Sequence, residues 1–285
     1  MLLNRIAIGT IVTAAALALT VAGAAAFDES KYPDWGGQWQ RPRGAAFPNI
    51  GNQWDQARPR QDQQAPLTAE YQRIFEAGLA DQAAGGQGND PTYTCIPPGM
   101  PRAMTVVFPM EIVILPQVTY ILQEYVPMIR RVYTDGRPIA TEEEPSFLGY
   151  SVGTWLDTDG DGKFDTLEIE TRNFKGPRTF DASGIPLHED GQTVVRERMY
   201  LDKTDRAMLR NEVTTIDNAL THPWTVMKTY RRDLSAKPIW LEYVCAEGNH
   251  HVVVGKQNYF VSGDGFLMPT RKDQRAPDLK FFNQR

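Results

Sequence analysis

The sequence predicts a mostly β protein: an antiparallel meander that closes into a barrel or strongly curved sheet, lipocalin-like in general shape. One short N-terminal helix and an extended N-terminal arm precede it. Three observations carry this expectation. From residue 105 onward, apolar and polar residues alternate with period 2 in one short segment after another, the repeat of a half-buried strand. Turn formers separate these segments, namely Asp135-Gly136, Gly176-Pro177, Gly184 and Asp190-Gly191. No long helical pattern intervenes, so consecutive strands pair with their neighbours, and closure leaves few open edges.

Residues 1–26 read as an export signal: Arg5, an apolar stretch from Ile6 to Val21, and Ala24-Ala25-Ala26 as a cleavage site before Phe27. The rival reading is a membrane anchor. The stretch is short for a bilayer span and is followed at once by Asp28-Glu29-Ser30. The mature chain is therefore expected in the periplasm or outside the cell, with no stable membrane insertion. Residues 27–66, with Trp35, Trp39 and Trp54 among many Gly, Pro, Gln and Arg, read as an extended arm whose aromatics lie on the body. Over 67–86, Thr68 is a helix N-cap, Tyr71, Ile74, Phe75 and Leu79 share one side, and Gly85-Gly86 stops the helix.

Prolines 97, 98 and 101 make the end of 87–103 a loop. Candidate strands follow at 105–108, 111–116, 118–126, 129–134, 147–156, 165–173, 192–201, 207–216, 224–231, 239–246 and 252–261. In 167–173, Leu167, Ile169, Thr171 and Asn173 face one way while Glu168, Glu170 and Arg172 face the other. The β domain thus spans 87–268, and 269–285 is a tail with Phe281-Phe282 as an anchor.

Cys95 and Cys245 are the only cysteines. An oxidising compartment favours a bridge between them; two buried free thiols are the alternative. Neither lies in a Cys-x-x-Cys pair, which disfavours a thiolate metal site. The net charge of −5, with both signs mixed along the chain, leaves no footprint for nucleic acid.

An acidic run lies in mid-chain. Asp157, Asp159, Asp161, Asp165 and Glu168 occupy positions 1, 3, 5, 9 and 12 of a calcium loop, with Gly162 at position 6 and the Lys163 carbonyl at position 7. Its flanks are strand-like, so the run is expected at a hairpin tip, where a structural Ca2+ would staple the turn. An ordinary polar turn is the plainer alternative. No nucleotide, haem or zinc site is expected, because no phosphate loop, dinucleotide fingerprint or His/Cys cluster is present.

Several segments occur together in a distinctive order. They are Cys95-x-Pro97-x-Gly99-x-Pro101-Arg102, Tyr133-x-Asp135-Gly136-Arg137, Gly149-Tyr-Ser151-Val-Gly153-Thr-Trp155, Glu197-Arg198, Pro223-Trp224-Thr225 and Leu241-Glu242-Tyr243-x-Cys245-x-Glu247. Over roughly residues 90–250 the chain resembles a large uncharacterised family of exported bacterial β-rich proteins. The resemblance implies a signal peptide and a β body, and no activity. Relatives pass from the tryptophan through a short turn into the next strand. Here an insertion of about seven residues separates Trp155 from Asp165, and turn tips are where insertions are tolerated.

Candidate acid–base groups are His188, Asp181, Tyr133, Arg137 and Glu197. Histidine is the side chain suited to acid–base work near neutral pH, and His188 sits in a Gly/Pro-rich loop beside Glu189 and Asp190, although a solvated loop histidine looks the same in sequence. Asp135 and Arg137 also suit a plain hairpin turn. Glu197 and Arg198 face opposite ways in one strand, so one points inward and needs a partner. Gly149-x-Ser151-x-Gly153 matches a nucleophile elbow formally but lacks the strand–turn–helix context. Trp155, Trp224, Tyr120, Tyr133 and Arg198 are candidate ligand-binding residues.

Three functions fit these features. The first is a barrel binding a small, largely apolar molecule. The second is a cofactor-independent lyase, isomerase or hydrolase built on His188. The third is an envelope protein that docks through residues 27–66.

Overall fold

A computed structural model describes residues 27–42, 64–140, 142–248, 250–254 and 257–275. The export signal, Trp54 and Phe281-Phe282 lie outside the described residues. Nine strands close a barrel in chain order: β1 (Gln38–Gln40), β2 (Met110–Ile114), β3 (Val118–Gln123), β4 (Met128–Tyr133), β5 (Tyr150–Leu156), β6 (Thr166–Arg172), β7 (Val194–Leu201), β8 (Met208–Ile216) and β9 (Trp224–Arg232). All pairings are antiparallel except β4–β5, which is parallel over Val132↔Ser151 and Tyr133↔Val152. The long connection through residues 134–149 allows this, since parallel neighbours need a crossover rather than a tight turn.

A three-stranded antiparallel sheet stands beside the barrel, formed by β10 (His251–Val254), β11 (Gln257–Val261) and β12 (Leu267–Pro269). The disulfide Cys95–Cys245, with Cα atoms 5.6 Å apart, ties the approach to this sheet back to the connection between β1 and β2. Helix α1 (Ala69–Ala83) is capped by Thr68, whose hydroxyl accepts from the Tyr71 N–H. No helix among the described residues is long and apolar enough to cross a membrane.

Strand alternation works as the pattern predicts. On β6, Leu167, Ile169 and Thr171 are buried inside while Glu168, Glu170 and Arg172 face out. Asn173 has already left the strand with φ +63°. The acidic run forms the tip of the β5–β6 hairpin.

Four segments differ from expectation. Residues 105–108 form no strand: Arg102–Thr105 is a buried 3-10 turn that plugs the barrel. Inward-facing Gln123 and Tyr230 donate to the carbonyls of Ala103 and Met104, so this backbone is satisfied by the lumen rather than by a ladder. Residues 239–246 also form no strand. Ile239 and Leu241 are 70% and 61% exposed, and the segment runs irregularly into a single helical turn, α2 (Cys245–Gly248). Its alternation found no ladder because the barrel is closed and offers no free edge. Residues 252–261 break into the β10–β11 hairpin. The arm's first part is wall rather than appendage. Trp39 on β1 pairs with both Met110 and Arg232 and closes the barrel, and Trp35 is buried beside Trp155. These two tryptophans are therefore not available to dock on a partner.

Ser151 does lie at the parallel β4–β5 pairing, yet its strand continues to Leu156 and no helix follows. The nucleophile elbow is not formed.

Candidate functional site inside the barrel

The inward face of a small barrel is normally filled by apolar side chains. Here it carries buried charged and polar groups as well. Arg130 on β4 points between Met128 and Val132 into the lumen and meets Glu197 of β7 in a two-pronged ion pair. The Nη1–Oε1 arm measures 3.2 Å, and Nη2–Oε2 is the closer contact. Both side chains are buried. Arg130 also donates to Ser151 Oγ at 3.2 Å and Thr171 Oγ1 at 2.9 Å, and Glu197 accepts from Asn211 Nδ2 at 2.9 Å.

Asn211 stands directly opposite Lys228 in the β8–β9 register. Lys228 is only 1% exposed. Its ammonium lies over the Phe180 ring, 5.6 Å from the centroid. Burial holds its pKa well below that of an ordinary lysine; Arg41 pushes the same way and Asp181 opposes. Tyr230, two residues further along β9, is pushed up by burial.

Two segments lid this network. The first is the 3-10 turn Arg102–Thr105, whose Thr105 carbonyl accepts from Arg41 Nη1 at 3.2 Å. The second is the loop carrying Phe180 and Asp181. Phe180 packs on Trp224 with ring centroids 4.6 Å apart. Asp181 Oδ1 accepts from the Ser183 N–H at 2.9 Å and from its hydroxyl. Buried Arg178 anchors the loop to Thr193 Oγ1 at 2.8 Å and to the His188 carbonyl at 3.3 Å.

Several polar atoms of this interior have no hydrogen-bond partner among the described residues: Asp181 Oδ2, Asn211 Oδ1, Thr215 Oγ1, Thr119 Oγ1 and Gln123 Oε1. Thr215 faces Trp224 across the ladder and Asn211 faces Lys228. Phe180 touches both Trp224 and Lys228, the residues that face Thr215 and Asn211, and Asp181 follows it in the chain. Native interiors leave few such groups, and each calls for a water or a ligand.

The sequence candidates separate into two sets. Asp181, Glu197, Trp155 and Trp224 go inside. Glu197 is the inward member of its pair, and the partner it required is Arg130. Trp155 packs against Trp35 and Tyr32, with centroids 4.9 and 5.4 Å away, and so belongs to the core at one barrel end. His188 stays outside, against the Tyr71 ring at 5.5 Å, with Nδ1 accepting from the Asp190 N–H at 3.1 Å. Tyr133 and Arg137 lie on the outer wall, where Arg137 stacks 3.9 Å over Tyr133 and is held by Asp135.

Arg137 and Arg198 line an outer groove of about 480 Å3 with Glu168, Glu170 and Arg196. Its charges neutralise one another as cross-strand pairs: Arg198–Glu168 at 3.8 Å and Arg196–Glu170 at 2.9 Å. Tyr120 is on the outer face of β3, opposite Val113 and Arg131. The acid–base set of His188, Asp181, Tyr133 and Arg137 is thus divided between the loop surface, the lumen and the outer wall.

Arg41, Arg130, Asn211 and Lys228 were not singled out by the sequence reading. The signal for two of them was present. Lys228 interrupts the inward series Val226, Tyr230, and Arg130 interrupts Met128, Val132. A charge on the apolar phase of a strand marks a buried charge that must be paired.

In the acidic loop, the carboxylates of Asp157, Asp159 and Asp161 come within 4.8 Å of one another. Asp157 accepts from the N–H groups of Gly160, Asp161 and Gly162. Two expected ligands point elsewhere. Asp165 accepts from Thr158, and Glu168 on β6 faces Arg198. Three of the expected carboxylates therefore converge.

A scan against protein-family models finds no match, and no curated protein matches the chain.

Proposed function

We propose that this barrel binds one small, largely apolar molecule in its lumen, gripped at a polar end that carries a hydroxyl or amino group. The supporting observation is that Asp181, Asn211 and Thr215 each bury a polar atom without a partner among the described residues, within a core that also holds Phe180, Trp224, Val213 and Val226. Asn211 Oδ1 accepts hydrogen bonds and cannot donate, so its complement is a donor. Phe180 is the group a ligand would displace, and Trp224 beneath it would report the event. The disulfide is compatible with an oxidising, exported setting.

Titration with 1-octanol is expected to quench fluorescence in the parent but not in Trp224→Phe. Asp181→Asn, which weakens acceptance at that oxygen, should lower affinity roughly tenfold, in line with a hydrogen bond to a charged group. Octanol binding unaffected by Asp181→Asn and Thr215→Val together would place the ligand elsewhere. Native mass spectrometry of protein from its own host would identify the natural occupant.

The calcium loop is a separate matter. We read Asp157, Asp159 and Asp161 as a hairpin staple, distant in role from the lumen. Calcium should then raise Tm, and Asp159→Ala with Asp161→Ala should remove the increase. An unchanged Tm in calcium and in EDTA would leave the loop as an ordinary Asx-type turn.

A further inference from the structure

We infer that Lys228 is a covalent site for aldehydes and ketones, forming an imine with a carbonyl ligand held in the lumen. This rests on the lumen being the binding site. Its grounds are positional. Lys228 projects from the middle of β9 into the interior and lies against the face of Phe180. The other described lysines, at 31, 163, 175, 203, 237 and 272, are all exposed. A carbonyl carbon beside Phe180 would thus meet a single buried amine among the described residues.

The chemistry requires an unprotonated amine and a group to carry protons. Desolvation disfavours the ammonium form of Lys228, and the nearby Arg41 charge adds to that bias. The amine lone pair adds to the carbonyl carbon, forming the C–N bond while the C=O π pair moves to oxygen. That oxygen takes up protons and leaves as water as the nitrogen loses its own and C=N forms. The products are one imine and one water, with no net oxidation. Asp181, next to Phe180 in the chain, is the candidate proton carrier: it is buried, and its Oδ2 has no hydrogen-bond partner among the described residues. A structural role alone would leave Lys228 without carbonyl selectivity.

The full chain, purified from its host and incubated with octanal, would be trapped with cyanoborohydride and mapped by peptide mass spectrometry. The expected result is one octyl adduct on the Lys228 peptide, formed roughly tenfold faster than on any exposed lysine. Excess 1-octanol should suppress it. Lys228→Arg should lose it, and the wild-type map decides the question should that variant fail to fold. Octanol binding together with adducts only on exposed lysines would overturn the inference while leaving lumen binding intact. Absence of both octanol binding and the Lys228 adduct would overturn the two together.

Discussion

Arg130→Met is expected to destabilise the barrel by about 3–5 kcal/mol, the cost of leaving a buried carboxylate without its partner. The Glu197 side chain is buried on β7 and, among the described residues, would keep the Asn211 amide as its donor. The double replacement Arg130→Met/Glu197→Leu should be much closer to the parent than either single change, because a buried ion pair gains little over well-packed apolar groups. Recovery should still be incomplete. Ser151 and Thr171 bond each other at 2.9 Å and remain satisfied, whereas Asn211 Nδ2 loses its acceptor, at roughly 1–3 kcal/mol. Urea denaturation of the four proteins closes the cycle. A single variant within about 1 kcal/mol of the parent would mean that water reaches the pair and the lumen is not dry. The expected asymmetry also bears on function. A barrel that needed only to stay folded would do as well with apolar residues here.

Much of this architecture was legible in the sequence because strand phase and turn chemistry are local. The β5–β6 hairpin, its acidic tip and the inward set Leu167, Ile169 and Thr171 follow from period 2 alone. The same phase argument required a hidden partner for Glu197 but could not choose Arg130, which lies 67 residues away in sequence. The short strands β1 and β12, three residues each, are too brief for any periodic signal. Residues 239–246 show the converse. Their alternation is good, but a strand also needs an open edge, and closure of the barrel is a property of all nine strands together. The candidate site was missed for a related reason. Sequence reasoning favours reactive residues in loops, as with His188, whereas the groups that converge here come mainly from strand interiors and the two segments that lid them.

Cys95→Ser/Cys245→Ser is expected to cost up to about 4–5 kcal/mol, since the bridge closes a loop of 150 residues in the unfolded chain. That loop contains β2 through β9 and leaves only β1 of the barrel outside it. The loss should therefore arise chiefly from a less restricted unfolded state, with Cm falling and the urea m-value rising as that state expands. A second effect should separate in space. The β10–β12 sheet follows directly after Cys245, and its ties to the body include the half-exposed Arg271–Asp81 ion pair at 2.9 Å and an edge contact between Tyr93 and His251. Exposed ion pairs contribute about 0–1 kcal/mol. Hydrogen exchange should then quicken first at Val252, Val253 and Tyr259 in the double variant, under conditions where Ile169 and Val213 of the barrel remain protected. Equal acceleration in both sheets would show that the bridge acts only through the unfolded chain. Unchanged exchange at β10–β12 with a lowered Cm would show that the small sheet docks without its tether.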